Sequence, residues 1–208
     1  MSMEANLANT NAAFGLRPVR YVDGRPYNGA VEYYFVTGAT GVIRPGDPVI
    51  AAGAANTAEI DGFGPGTMST CTIALPGAGD PITGVCVAVM PSNRDSLVYR
   101  EDSTDRIIAV ARGADLIFEV QADAGGTALA GTDVGQFAVL AAGTTSTTRS
   151  DWTLDTATTP ATTATYQVKI MGFGKSPKNE IGAYSVVEVL INNHELANIA
   201  DGGRLTAV

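Results

Sequence analysis

The chain has 208 residues, 45% of them hydrophobic, which is enough for one domain with a sizeable apolar core. A formal net charge of −8 argues against nucleic-acid binding by the domain as a whole, because that binding needs Lys and Arg to neutralise phosphates. Charged residues make up only 16%, below the roughly 25% usual for soluble domains; this suits either extensive protein–protein contact or a β-rich body with long loops of small residues.

The first ten residues lack both a basic region and an apolar run, so they do not resemble a secretory signal. Residues 11–30 then carry three arginines, two Arg-Pro steps and three aromatic residues, without a helical or strand period. Proline favours extended geometry at the residue before it and offers no N–H to a sheet ladder. We therefore predict that residues 1–30 form an extended arm, which lies either on the protein's own body or on a neighbouring subunit.

The predicted arm is basic, although the chain as a whole is acidic. Arg17, Arg20 and Arg25 stand against only Glu4 and Asp23, a balance that favours docking on an acidic surface. Arginine and aromatic side chains dominate interface energetics. The candidate protein-binding residues are therefore Phe14, Leu16, Arg17, Arg20, Arg25 and Tyr27.

After the arm, apolar residues alternate with polar ones at the period of a β-strand. The strands that this alternation predicts are 31–36, 49–50, 107–111, 116–121, 166–170 and 184–191. The four residues between the third and fourth of these runs predict a short hairpin. Turn residues separate the runs, and helices of a dozen residues are missing, so we expect an all-β sandwich or barrel-like body over residues 31–208.

Two segments are predicted to be long Thr/Gly-rich loops, residues 53–70 and 143–165. In the second, Trp152 and Leu154 alternate with Thr153, so part of it could pair as an edge hairpin. Cys71 and Cys86 are too few for a disulfide framework and have no zinc-site spacing, which predicts two reduced, buried thiols in a cytoplasmic product.

Several short patterns are best explained by turns and by the end of a strand. The turn Gly46-Asp-Pro-Val49 recurs as Gly79-Asp-Pro-Ile82, which indicates shared turn chemistry before a strand. The glycine-rich residues 37–41 and 172–175 lack the spacing of a phosphate-binding loop, so no cofactor is predicted. Residues 194–200 are the best helical candidate, with two turns at most. No run reaches the roughly 18 apolar residues that a membrane helix needs, so no membrane association is predicted.

The sequence contains no recognisable catalytic set. His194 is the only histidine, and without a nucleophile elbow or a second histidine nearby we predict a solvated or edge residue and no histidine-based metal site. The acidic residues 101–105 lack the ligand pattern of a calcium loop. We interpret them as a hairpin tip whose acids are balanced by Arg100 and Arg106. A glycosidase pair formed by Asp102 or Asp105 is left open, because carboxylate separation depends on the fold.

Part of the sequence resembles structural proteins of tailed bacteriophages, namely the capsid cement or decoration proteins. The matching residues are Asn11, Phe14-Gly-Leu-Arg-Pro-Val-Arg20, Gly24, Pro26-Tyr-Asn-Gly29, Tyr33 or Tyr34, and the turn Gly46-Asp-Pro-Val49. The resemblance covers about the first quarter of the chain and carries no catalytic signature. It implies a β-rich protein that attaches to the outside of the head shell and bridges major capsid subunits. It also implies a virion protein, made in the host bacterial cytoplasm, that associates with itself, with a trimer favoured.

Three functions are therefore open at this point. The first is a capsid cement protein that binds the major capsid protein and stabilises the shell, with no enzymatic activity. The second is another virion component, such as a head–tail connector or a tail protein. The third is a carbohydrate-active enzyme that uses Asp102 or Asp105, or a glycan-binding β-sandwich in which Trp152 stacks a sugar ring.

Overall fold

The computed structural model describes residues 9–60, 62–143 and 148–195, and within these ranges the predicted all-β class is confirmed. Apart from one short 3-10 turn at Gly131–Asp133, the regular elements are strands. They are β1 (Arg17–Tyr21), β2 (Glu32–Val36), β3 (Pro48–Ala55), β4 (Ser69–Ile73), β5 (Gly84–Val89), β6 (Arg106–Ala111), β7 (Leu116–Gln121), β8 (Phe137–Ala138), β9 (Leu140–Ala141), β10 (Thr153–Leu154), β11 (Val168–Phe173) and β12 (Val186–Ile191).

Five of these strands close into a barrel in the order β2-β4-β3-β5-β6. β2 and β4 run parallel and share one registered pair, Phe35 with Thr70, whereas the other barrel pairs are antiparallel. The barrel encloses a cluster of buried side chains that includes Tyr34, Val49, Ile108 and both cysteines. Cys71 and Cys86 carry free, buried thiols, as predicted. Burial raises the pKa of Cys71 to about 12, so this thiol stays protonated and unreactive near neutrality.

The second sheet has the order β1-β7-β12-β11-β8. Its inner face carries Phe118, Val187 and Val189, which pack in one cluster with Ile82 and Val85 from the barrel side. Since β1 belongs to this sheet, the barrel is inserted in the chain between the first strand of the sheet and the second. The described part of the predicted arm therefore lies on the protein's own body and contributes a strand to it.

The predicted hairpin between residues 107–111 and 116–121 is wrong, because β6 and β7 lie in different sheets. β6 is flanked by β2 and β5 in the barrel, and β7 by β1 and β12 in the sheet. Leu116, Ile117 and Phe118 are all fully buried, so β7 is a central strand covered on both faces. A central strand forms hydrogen bonds with two neighbouring strands and is buried on both faces, whereas a strand in an isolated hairpin pairs with only one.

The long Thr-rich segment is partly paired, as its alternation allowed. β10 pairs antiparallel with β9, and Trp152 beside it is only 2% exposed. The prediction that His194 is solvated or at an edge is wrong, since it is 1% exposed and forms a parallel bridge with Ile82. The amide of Ile82 donates to the carbonyl of Asn193, which holds this stretch against the barrel. Residues 196–200 of the helical candidate 194–200 lie outside the described residues.

Both edges of the five-stranded sheet are covered by other parts of the chain. Along β1, the amide of Tyr27 donates to the carbonyl of Val19, and that of Tyr21 donates to the carbonyl of Arg25. Along β8, Phe137 and Ala161 exchange both backbone hydrogen bonds. These contacts cover part of each edge and so reduce the exposed backbone through which sheets associate non-specifically. Over the ranges given above, no helix has the length and apolar character needed to cross a membrane.

Candidate binding surface at the N-terminal segment

The N-terminal segment is clamped onto the sheet by one buried amide side chain. Gln121, at the end of β7, donates to the carbonyl of Thr10 at 2.9 Å and accepts from the amide of Ala12 at 2.8 Å. It also donates to the carbonyl of Tyr184, so both donors and the acceptor of this amide are used. At Asn9, the side-chain amide donates to the carbonyl of Glu180 at 2.7 Å. Sequence reasoning missed these two residues, because lone polar residues carry no pattern.

Gly15 and Leu16 join this segment to the barrel. The amide of Leu16 donates to the carbonyl of Gly46 at 2.9 Å, and the Leu16 side chain is 1% exposed in the core beneath. Gly15 has φ +72°, and a Cβ there would overlap the side chain of Ser150 and the carbonyl of Gly46. The glycine of the phrase Phe-Gly-Leu is therefore needed for a close crossing, and Leu16 serves the protein's own core.

A β-bulge at Val19 turns both arginines of β1 to the same face of the sheet. The register pairs Arg17 with Glu119, and after the bulge Arg20 with Ile117. Arg17 then forms an ion pair with Glu119, and Arg20 with Glu188 on β12, each at 2.5 Å. Glu119 and Glu188 are registered opposite each other, so the two arginines relieve a like-charge contact between neighbouring strands.

These pairs change the electrostatic argument made from the sequence. Arg25 also has a partner within the chain, Asp23, at 2.5 Å. The backbone amide and guanidinium of Arg25 lower the pKa of the Asp23 carboxyl. Each arginine of the predicted arm is therefore next to a carboxylate of the same molecule. These partners offset the positive charge of the arm, so charge alone gives it little reason to dock on an acidic surface.

Four of the six predicted anchors line one surface pocket of about 360 Å³. They are Phe14, Leu16, Arg17 and Tyr27, and the pocket is completed by Pro18, Pro45, Gly46, Cys86 and Val87. The guanidinium of Arg17 lies over the ring of Phe14, 5.0 Å from its centroid, while its side chain remains 63% exposed. An exposed arginine stacked on an aromatic ring beside an apolar hollow is a typical anchor of a protein interface.

The other two predicted anchors, Arg20 and Arg25, lie outside this pocket. Arg20 is held in its pair with Glu188. Arg25 lies over the ring of Tyr21 at 5.0 Å, and Tyr21 in turn contacts Tyr27 with ring centroids 6.5 Å apart. The aromatic cluster continues from the pocket towards the turn at residues 22–26. The candidate surface is therefore centred on Phe14, Arg17 and Tyr27.

Loss of Arg20 should cost far more stability than loss of Arg17. The side chain of Glu188 is 7% exposed, and Arg20→Ala leaves that charge buried without its partner. We expect roughly 3 kcal/mol of lost unfolding free energy for Arg20→Ala and under about 1 kcal/mol for the solvent-exposed Arg17→Ala. Urea unfolding of both variants measures the difference. Equal losses would mean that Arg17 has a structural role comparable to that of Arg20.

The acidic loop at residues 101–105 is organised by a buried arginine and is not a simple hairpin tip. Arg100 is fully buried and donates to the carbonyl of Thr104 at 2.7 Å and to the hydroxyl of Thr40 at 2.9 Å. The carboxylates of Asp102 and Asp105 accept hydrogen bonds from loop 37–41. Arg100 does balance an exposed acid of this loop, as predicted, since it forms an ion pair with Asp102 at 3.9 Å. Its burial and its hydrogen bonds to two loops were not predicted. A buried arginine next to a turn resembles an exposed one in sequence, so no signal could have separated them.

The glycan-binding interpretation loses its main residue. Trp152 is 2% exposed and belongs to the large core cluster, so its ring has no free face on which a sugar could stack. Among the residues that the structure describes, no group of three or more His, Cys, Asp or Glu side chains could hold a metal ion. Comparison of the chain with protein-family models, with curated proteins and with solved structures gave no match.

Proposed function

We propose that this chain is a virion structural protein of the capsid-cement type, which binds the major capsid protein on the outer surface of a tailed-bacteriophage head and stabilises the shell. One observation supports the proposal most. Of the segments that carry the resemblance to cement proteins, 46–49 is distant in sequence from 14–20 and 26–29, yet all three meet at one pocket through Phe14, Tyr27 and Gly46. Separate motifs that take part in one binding interaction must lie on the same surface.

The rest of the molecule suits such a role. The partly covered edges of the five-stranded sheet leave little backbone for strand addition by a partner, so attachment is expected to rely on side-chain contacts at the pocket. Many copies on one lattice reinforce individually weak contacts, so a surface pocket that binds its partner weakly is sufficient for stable attachment. Self-association, with a trimer as the preferred form, would add to this effect.

The first test is sedimentation with shells. The purified chain is mixed with emptied mature heads and with proheads of the phage that encodes it. We expect it to sediment with mature heads and not with proheads, in many copies per particle. Failure to bind either shell would overturn the proposal, and a copy number near a dozen would favour a connector or tail role.

A second test uses point variants, because deletion of residues 1–30 would remove β1 from the sheet and unfold the protein. Arg17→Ala should weaken binding to mature heads roughly 30-fold, the effect of losing an interface hot spot. Arg25→Ala is the matched control, since it removes an exposed arginine outside the pocket, and it should change affinity less than about threefold. Equal effects of the two variants would rule out the pocket as the anchor.

A further inference from the structure

The turn that follows the pocket contains a fully buried carboxylate, Asp47. This turn precedes β3 of the barrel and contacts the N-terminal segment. The amide of Gly46 donates to the carbonyl of Cys86 at 2.7 Å, and the amide of Cys86 donates to the carbonyl of Asp47 at 2.9 Å. The carbonyl of Gly46 accepts the amide of Leu16 on the other side. Ser150, which hydrogen-bonds to the carboxyl group, is also the side chain that a Cβ on Gly15 or Gly46 would meet. The carboxyl group therefore lies beside the junction of the N-terminal segment and the turn.

The carboxyl group of Asp47 is only partly satisfied. Its Oδ2 accepts from the amide of Arg44 at 2.8 Å, and Ser150 hydrogen-bonds to it from the loop opposite. Its Oδ1 has no hydrogen-bond partner within the described ranges, and the same is true of the buried Nε of Arg44. A buried ionised carboxylate with an unused lone-pair oxygen is costly.

The charged and titratable groups around Asp47 do not offset this cost. Arg44 attracts the carboxylate, whereas Asp151 on the opposing loop repels it. β5 contributes the thiol of Cys86, and residues 14–16 of the N-terminal segment carry no charge. Burial is the largest effect and raises the pKa of Asp47 to about 6, against the hydrogen bonds from Ser150 and Arg44.

The sign of the resulting pH dependence follows from linkage. The folded pKa of about 6 lies above the ordinary value of 3.8, so folding binds a proton between these two values. The Asp47 carboxyl group therefore stabilises the contact between residues 14–16 and the barrel more at low pH than at high pH. That advantage declines as the pH rises from about 4 to about 6 and is absent above it.

The structure assigns Asp47 as a proton-operated latch on the N-terminal segment: the neutral carboxyl holds residues 14–16 against the barrel, and the ionised carboxyl loosens that junction. The latch is a property of the isolated chain. Its effect on shell binding, through Phe14 and Arg17 at the same junction, rests on the function proposed above. The chain also contains its own control, because Gly79-Asp-Pro repeats the turn with an aspartate, Asp80, that is only partly buried.

The test measures hydrogen exchange at the amide of Leu16, which reports opening of the junction, and uses the full chain without shells. Protection factors correct for the intrinsic pH dependence of exchange. We expect the wild-type protection factor to fall roughly 25-fold between about pH 4.5 and about pH 7.5. Asp47→Asn should remove this fall, and Asp80→Asn should retain it. A wild-type factor that does not change, or an unchanged fall in Asp47→Asn, would overturn the latch.

A second measurement keeps the proposal testable if Asp47→Asn does not fold. A titration of the wild-type chain by NMR follows the Asp47 carboxyl carbon and the Leu16 amide together. Both should shift with one midpoint near the folded value of about 6. Different midpoints would overturn the latch. Shell binding plays no part in either measurement, so failure of the proposed function and failure of the latch are separate results.

Discussion

Replacement of Gly15 by alanine should destabilise the protein by roughly 3–5 kcal/mol, the sum of a left-handed backbone penalty and overpacking. The φ of +72° disfavours any residue with a Cβ, and the added methyl group would overlap Ser150 and the carbonyl of Gly46. That carbonyl belongs to the backbone and cannot rotate away. The overlap would push the N-terminal segment off the barrel and break the hydrogen bond from the Leu16 amide.

The matched control for this substitution is Gly24→Ala. Gly24 has φ +91°, but a Cβ there meets nothing within 4 Å. It should cost only the backbone penalty of about 1 kcal/mol. Urea unfolding of both variants gives the comparison, and limited proteolysis shows whether residues 9–16 become accessible. Similar losses for the two variants would mean that backbone conformation matters at Gly15 and close packing does not.

The second large effect is expected at Arg100. Its guanidinium donates to the carbonyls of Gly38, Gly41 and Thr104 and to the hydroxyl of Thr40, and so ties two loops together at one end of the barrel. Burial lowers the pKa of Arg100, yet a guanidinium remains charged in proteins. Loss of two or more such charge-assisted bonds, at about 1.5–3 kcal/mol each, predicts a loss of roughly 3–5 kcal/mol for Arg100→Ala.

Two further variants make this prediction specific. Arg100→Lys keeps the charge but cannot reach several carbonyls with one planar group, so it should recover less than half of the lost stability. Arg94→Ala, in an exposed stretch nearby, should change stability by under about 0.5 kcal/mol. Thermal or urea unfolding measures all three. A loss below about 1 kcal/mol for Arg100→Ala would show that water replaces the guanidinium in that loop.

Six of the twelve described strands overlap runs predicted from the sequence, namely β2, β3, β6, β7, β11 and β12, but their partners could not be predicted. Alternation identified residues 31–36, 116–121 and 184–191 because side chains on opposite faces of a strand meet different surroundings. Pairing depends on contacts between distant residues, such as Arg17 with Glu119, which local patterns do not encode. For this reason the hairpin between β6 and β7 was a reasonable local prediction and still wrong.

The candidate site could be predicted in part. The sequence predicts Phe14, Arg17 and Tyr27 as aromatic and arginine anchors, and the structure brings them to one pocket. Leu16 belongs to the same short segment, but its side chain faces inward because the hydrogen bond from its amide to the Gly46 carbonyl and the close approach at Gly15 fix the backbone there. Burial of single polar residues such as Asp47 and His194 depends on the assembled core, so sequence alone did not reveal it.

Insertion of the barrel between β1 and β7 has a consequence for synthesis on the ribosome. Arg17 emerges 102 positions before its partner Glu119, a delay of roughly 5–20 s at common elongation rates of about 5–20 residues per second. The barrel strands can associate during that time, while the first strand has no sheet to join. Nascent chains therefore carry Arg17–Tyr21 without its strand partner for several seconds, and chaperones or sister chains can meet it before the finished sheet does.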